Sequence, residues 1–163
     1  TYEVNGEQYV AFNVGIGGAF PLAFGVVAQN SPVVRDSRLF VFKLGGKEAM
    51  PEVKQRIMLP PSPPAMSASA ESLKSGEQLY GENCSVCHGL SAYSADAIPD
   101  LRYLTPEKHE QFQNIVLGAR SHLGMPIFGG RLQPNDIEDI RGYLIKRAHD
   151  LKHDLEAEQA KKQ

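Results

Sequence analysis

The sequence predicts a mainly α-helical domain preceded by a short β segment, with a proline-rich stretch between them. Residues 1–46 are rich in β-branched and aromatic side chains, residues 47–68 hold Pro51, Pro60, Pro61, Pro63 and Pro64, and from Ser69 onward apolar residues recur at helical spacing. At 163 residues, of which 42% are apolar, the chain suffices for one packed domain with an appendage. The balance of 17 basic against 19 acidic residues, net −2, gives no reason to expect nucleic acid or anionic lipid as a partner. No apolar run reaches the roughly 18 residues that a membrane span needs, and no basic-then-apolar leader opens the chain. It starts instead on the strand-like Thr1-Tyr2-Glu3-Val4 without an initiator methionine, as would a chain cut from something longer.

In the β segment, Tyr2 to Val4 and Gln8 to Val14 flank Asn5-Gly6, the pair that supplies the positive φ angles of a tight hairpin turn. A third strand is expected from Arg38 to Leu44, closed by Gly45-Gly46, with a glycine-rich stretch from Gly15 to Gly25 between the strands. The prolines of residues 47–68 favour extended, polyproline-like chain, and this region reads as a linker. A domain is expected over residues 69–150. Its first helix carries Leu73, Gly76, Leu79 and Tyr80 on one face. Thr105-Pro106-Glu107 has the capping hydroxyl and early proline of a helix start, followed by Phe112, Ile115 and Val116 and stopped at Gly118. A last helix begins near Pro134 with a stripe of Ile137, Ile140 and Leu144 and with Tyr143 beside it, while the charged residues 151–163 read as a solvated or frayed tail.

The chemistry is concentrated in Cys84-Ser85-Val86-Cys87-His88. A Cys-x-x-Cys-His run is the attachment sequence of c-type haem: two thiols add across the two vinyl groups, and the adjacent imidazole reaches the iron from one face. With two cysteines in all, a disulfide scaffold and a four-cysteine zinc site are excluded by count. Zinc on the two thiols would need two further ligands, for which His109 and His122 are available but not in a paired spacing. A thioredoxin-type dithiol follows a strand and opens a helix, whereas this motif closes a helix and runs into Gly89.

Haem with one histidine ligand either takes a second axial group or keeps an open iron position that binds gases or peroxide. Met125, in Gly124-Met125-Pro126-Ile127-Phe128-Gly129, is the favoured second ligand, since glycine permits close backbone approach and proline stiffens the loop. His122 competes from three residues earlier, and Met50, Met58 and Met66 suit surface or packing roles in or beside the linker. A coordinated imidazole donates its other N–H to a carbonyl, and Pro99 is placed to accept it. Arg102 is a candidate to neutralise a haem propionate, with an exposed, unfixed arginine as the equally supported alternative.

These residues carry a family resemblance. Residues 72–148 resemble a class I cytochrome c domain, a mainly α fold of three or more helices around haem, through Gly76, Tyr80, the Cys84 to His88 motif, Pro99, Leu101, Met125 and Tyr143. In that family the first and last helices cross, and Gly76, Tyr80, Ile140 and Tyr143 match the crossing positions. Tyr2 to Ala11, Gly15 to Ala19 and Arg38 to Gly46 resemble the last strands of a pyrroloquinoline quinone (PQQ) propeller. Strands, linker and cytochrome in this order resemble the C-terminal part of quinohaemoprotein alcohol dehydrogenases, although Ile16 stands where that family often has tryptophan. Gly15-Ile16-Gly17-Gly18 is a weak match to a dinucleotide loop, because Pro21 interrupts the helix that should follow.

The resemblance implies covalent haem c in this chain, with PQQ and Ca2+ held only in the missing propeller portion. It implies electron transfer from PQQ through the haem to an external acceptor, in the bacterial periplasm. Since the calcium ligands, catalytic aspartate and vicinal disulfide of the propeller lie outside the sequence, no catalytic residue carries over. Three strands cannot bury their faces alone, so the expected partner is a larger PQQ propeller chain or the remainder of the same enzyme. The alternative is a haem enzyme such as a peroxidase, with the sixth iron position open.

Overall fold

The computed structural model describes residues 1–14, 38–52, 61–94 and 98–161. The glycine-rich stretch, Ile16, Pro21, Met58 and Pro60 lie outside the described residues.

Strands β1 (Tyr2–Val4), β2 (Glu7–Val14) and β3 (Arg38–Lys43) form one antiparallel sheet in the order β1-β2-β3. Asn5 and Gly6, at φ 54° and 79°, make the hairpin turn that pairs Val4 with Glu7 and Tyr2 with Tyr9. The register of β2 on β3 sets Val10 opposite Phe42 and Phe12 opposite Phe40, and alternation gathers these four on one face. Phe12 and Phe42 stack with ring centroids 5.4 Å apart. The other face carries Tyr2, Val4, Tyr9, Leu39 and Val41, so the sheet is apolar on both sides. Phe12 is nonetheless 47% exposed and Leu39 66%. Among the described residues, none of the buried hydrophobic core lies in this sheet.

Residues 47–52 and 61–69 run without helix or strand, as their prolines dictate. The end of this stretch lies against the helical domain. Pro61 is buried, the Pro64 carbonyl accepts from His149 Nε2 at 2.8 Å, and Ala68 packs so closely on Gly142 that a Cβ there would lie 2.9 Å from the alanine methyl.

Helix α1 (Ala70–Asn83) starts where Ser69 accepts from the Ser72 amide at 3.2 Å. A single turn, α2 (Ser85–His88), follows. After the 3₁₀ turn Leu101–Tyr103 come α3 (Pro106–Glu110) and α4 (Phe112–Asn114), then a π turn over Ile115–Ala119 and a 3₁₀ turn over Ser121–Leu123. The single helix expected from Thr105 to Gly118 is thus interrupted at Gln111, whose ψ of 3° breaks the helical path. Its predicted end holds, with Gly118 at φ 125°. Helix α5 runs from Pro134 to Ala160, so the residues read as a solvated or frayed tail continue it as far as Ala160, with His153, Asp154 and Glu156 exposed.

The core sits where α1 crosses α5. A Cβ on Gly76 would lie 2.0 Å from the Asp139 carbonyl oxygen, so only glycine permits this approach. Tyr80 meets Tyr143 at a centroid separation of 5.3 Å, and Ile137, Ile140 and Leu144 fill the contact with Phe112, Val116 and Phe128. Ser72 hydrogen-bonds Asp139 at the edge of the crossing. Gly76→Ala is therefore expected to lower the denaturation midpoint by about 1–3 kcal/mol of stability, through forced overpacking against rigid backbone. Gly81, with nothing near its Cβ position, is the control: Gly81→Ala should stabilise by up to about 1 kcal/mol through helix propensity, and equal losses in both variants would contradict the crossing argument.

Candidate functional site

Helix α1 delivers the cysteine motif. The Cys84 amide still donates to the Tyr80 carbonyl at 2.8 Å, and the His88 amide donates to the Cys84 carbonyl at 2.9 Å, so Cys84, Cys87 and His88 are set by one continuous helical path. Buried Tyr80 donates its hydroxyl to the Gly89 carbonyl at 2.6 Å, which locks the exit of the motif onto the helix crossing. Cys84 is half-buried against the core cluster and Cys87 is exposed. Burial, with Cys87 beside it, pushes the Cys84 thiol up to about 11. Burial also lowers the pKa of His88, against the opposing pull of the Pro99 carbonyl.

His88 is oriented from the other side of the motif. Its Nδ1 lies 3.1 Å from the Pro99 carbonyl oxygen, to which it donates, and this tautomer leaves the Nε2 lone pair available to a metal. Pro99, read from the sequence as an acceptor beside the haem, lies within hydrogen-bond distance of that nitrogen. Arg102, read as a candidate propionate partner or a loose surface arginine, is 5% exposed. The Asp100 carboxylate takes its Nε at 3.0 Å and its Nη2 at 2.7 Å, while the guanidinium lies 4.8 Å from the centre of the Tyr93 ring. Asp100 was missed in the sequence, where a carboxylate two residues before an arginine carries no signal of burial.

Met125 sits on the loop that follows the turn at Leu123. Phe128 and Leu132, both buried, anchor this loop, and the Phe128 amide donates to the Val116 carbonyl at 3.2 Å. Met125 is half-buried and packs against the core cluster that also contacts Cys84, whereas His122 is exposed. Met50 and Met66, at 60% and 43% exposure, lie at the surface.

The donor set suits a haem. Two thiols, an imidazole with one nitrogen spoken for and a thioether are the donors that thioether-linked haem requires, and Cys84 and Met125 pack on the same apolar cluster. Large apolar side chains stand exposed in both loops, Val86 and Leu90 at the motif and Leu123 and Ile127 either side of Met125 in sequence. Cys84, Cys87, His88 and Met125 are the residues that would hold it, and the group would supply a one-electron iron couple. Zinc fits less well: among the described residues no three His, Cys, Asp or Glu side chains are grouped to hold a metal ion.

His109, the other zinc candidate, is 5% exposed and neither ring nitrogen has a partner among the described residues. Burial first, then the nearby Arg141, holds its pKa below the ordinary 6.5, with Glu138 opposing. Because the folded state resists protonation that the unfolded chain accepts, stability is full above about pH 6.5 and falls as pH drops below it. His109→Phe should flatten that acid limb and raise the unfolding midpoint at neutral pH by roughly 1–3 kcal/mol, as two unpartnered buried nitrogens are replaced by carbon. Thermal melts at several pH values would check this, and parallel limbs in the two proteins would refute it.

Residues 71–144 match a protein-family model described as "Cytochrome C oxidase, cbb3-type, subunit III". The chain is 44% identical over 151 residues to the quinohemoprotein alcohol dehydrogenase ADH-IIG of Pseudomonas putida, covering 93% of this chain and 21% of that protein. It is 39% identical over 153 residues to the dehydrogenase subunit of the quinone-dependent alcohol dehydrogenase of Gluconobacter oxydans, covering 92% and 20%. The solved structure of the Pseudomonas putida ADHIIG enzyme superposes with a TM-score of 0.72 at 43% identity, over 93% of this chain and 22% of that one. That of the Comamonas testosteroni quinohemoprotein alcohol dehydrogenase gives 0.58 at 29% identity, over 92% and 21%. The chain thus spans about a fifth of the length of the relatives it matches.

Proposed function

We propose that this chain, whose residues 71–144 form a cytochrome c domain and which is similar nearly throughout to the C-terminal part of quinohaemoprotein alcohol dehydrogenases, relays single electrons through a covalently held haem c. The observation that carries this reading is the His88 Nδ1 to Pro99 hydrogen bond of 3.1 Å, which leaves Nε2 available to a metal in the same motif as the two cysteines. Cys84 and Cys87 would hold the haem through thioether bonds, His88 and Met125 would bind its iron, and with both ligands in place the iron would serve as a closed one-electron carrier instead of an open site for peroxide or gases.

The electrons come singly from reduced PQQ in the propeller part of the dehydrogenase, which also holds Ca2+ and oxidises the alcohol, and they leave to an external acceptor in the bacterial periplasm. The sheet supports this placement. Propeller blades are built of about four strands packed between neighbouring blades, and β1 to β3 supply three strands with apolar side chains on both faces. The rest of the dehydrogenase covers those faces and completes the blade. No helix among the described residues is long and apolar enough to cross a membrane.

Haem staining after denaturing electrophoresis tests the covalent link, since only thioether-bound haem survives; a colourless band would refute it. Met125→Ala should abolish the methionine-to-iron charge-transfer band, lower the potential and admit carbon monoxide, whereas an unchanged spectrum would exclude Met125 as a ligand. In mild buffer the native assembly should be several times heavier than the 17.9 kDa of this chain. A monodisperse particle of that mass with an ordered sheet would contradict the propeller partnership.

A further inference from the structure

We propose that Asp100 and Arg102 form a clamp that fixes the Pro99 carbonyl against His88 and so sets how strongly the imidazole donates to iron. The inference rests on His88 being an axial ligand. The orientation of the Pro99 carbonyl is the orientation of the Pro99–Asp100 peptide plane, and that plane turns with the φ angle of Asp100, here −70°. The Asp100 carboxylate is held at three points: Oδ1 accepts from the Arg102 amide at 3.1 Å and from Nε at 3.0 Å, and Oδ2 accepts from Nη2 at 2.7 Å. Arg102 is in turn stacked over Tyr93, which is 3% exposed, and the intervening Leu101 donates its amide to the Ala92 carbonyl at 3.1 Å.

A stabilising role does not account for this pair. The two side chains are only 5% and 10% exposed, and a buried ion pair recovers little net stability after both charges lose their water. The partners are two residues apart, so their ion pair by itself spans only one local turn, and it is the Arg102 contact with Tyr93 that reaches another segment. What it does fix is the local backbone, and the group whose direction depends on that backbone is the Pro99 carbonyl. A firmly held N–H···O bond gives the imidazole more anionic character, favours the oxidised iron and lowers the potential. Asp100 and Arg102 are thus positioning residues, acting through Pro99 and His88.

Arg102→Lys in the haem-loaded chain tests the clamp at constant charge, because lysine keeps the cation but loses the planar fork and its stacking. Two quantities are read: solvent exchange of the His88 Nδ1 proton in the reduced state, by NMR, and the reduction potential. The clamp predicts roughly tenfold faster exchange, the equivalent of about one weakened hydrogen bond, together with a higher potential and unchanged axial-ligand absorption bands. Should the lysine variant fold poorly, Asp100→Asn keeps the shape and weakens the charged bonds, and the same faster exchange is expected. Wild-type exchange in the folded variant, or a lowered potential in Arg102→Lys, would overturn the proposal. Failure of the underlying haem reading is distinct, since the wild-type protein would then lack both the haem spectrum and a ligated His88.

Discussion

Helices α1 and α5 pack backbone against backbone at Gly76, where a Cβ would stand 2.0 Å from the Asp139 carbonyl oxygen, and the rest of the helical domain is arranged around that approach. Close passage lets Tyr80 and Tyr143 meet at 5.3 Å and seals Ile140 and Leu144, both at most 1% exposed. Tyr80 then converts packing into site geometry. Its hydroxyl, buried and with its pKa raised by that burial, has the Gly89 carbonyl as its acceptor and so ties the end of the cysteine motif to the crossing. The positions of Cys84, Cys87 and His88 are therefore consequences of a glycine more than two turns earlier on the same helix.

The β segment obeys the opposite physics. In the helical domain each apolar stripe has another to bury against, whereas the sheet presents apolar residues on both faces and contributes nothing to the buried core of the described residues. Aromatic stacking among Phe12, Phe40 and Phe42 reduces the exposed area of one face but leaves Phe12 47% and Phe42 40% exposed. An antiparallel sheet that is to meet water on one side alternates apolar with polar residues. This one does not, which is the pattern of a sheet sandwiched on both sides and agrees with a chain about a fifth as long as its relatives.

Much of this was legible in the sequence because local rules dominate it. Asn5-Gly6 specifies its turn through the backbone angles it tolerates, and Thr105 announces a helix start by capping. What escaped depended on contacts that no window reveals. The break at Gln111 leaves no composition signal, since the residue is an ordinary helix former. The charged residues after 150 read as a frayed tail because they lack an apolar stripe, yet α5 carries through them on good helix formers and on propagation from a packed start. Asp100 was invisible for another reason: its partner Arg102 is covered by Tyr93, and the Ala92 carbonyl takes the Leu101 amide, only once the chain has turned back after Gly89.

The two axial candidates are consequently held by different means. His88 is fixed within a short loop, by Pro99 and the contacts of residues 100 to 102, so its orientation is set locally and stiffly. Met125 depends on a longer chain of contacts: the loop hangs between Gly118 and Pro134, pinned by Phe128 and Leu132, and the elements at its two ends pack on the same core. That core is lined in turn by Pro63 and Pro64, which face α3 and α5 across a shared cleft that includes His109 and Arg141. The proline-rich stretch, read as a linker, ends against the helical domain, with Pro64 accepting from His149 and Ala68 packed on Gly142.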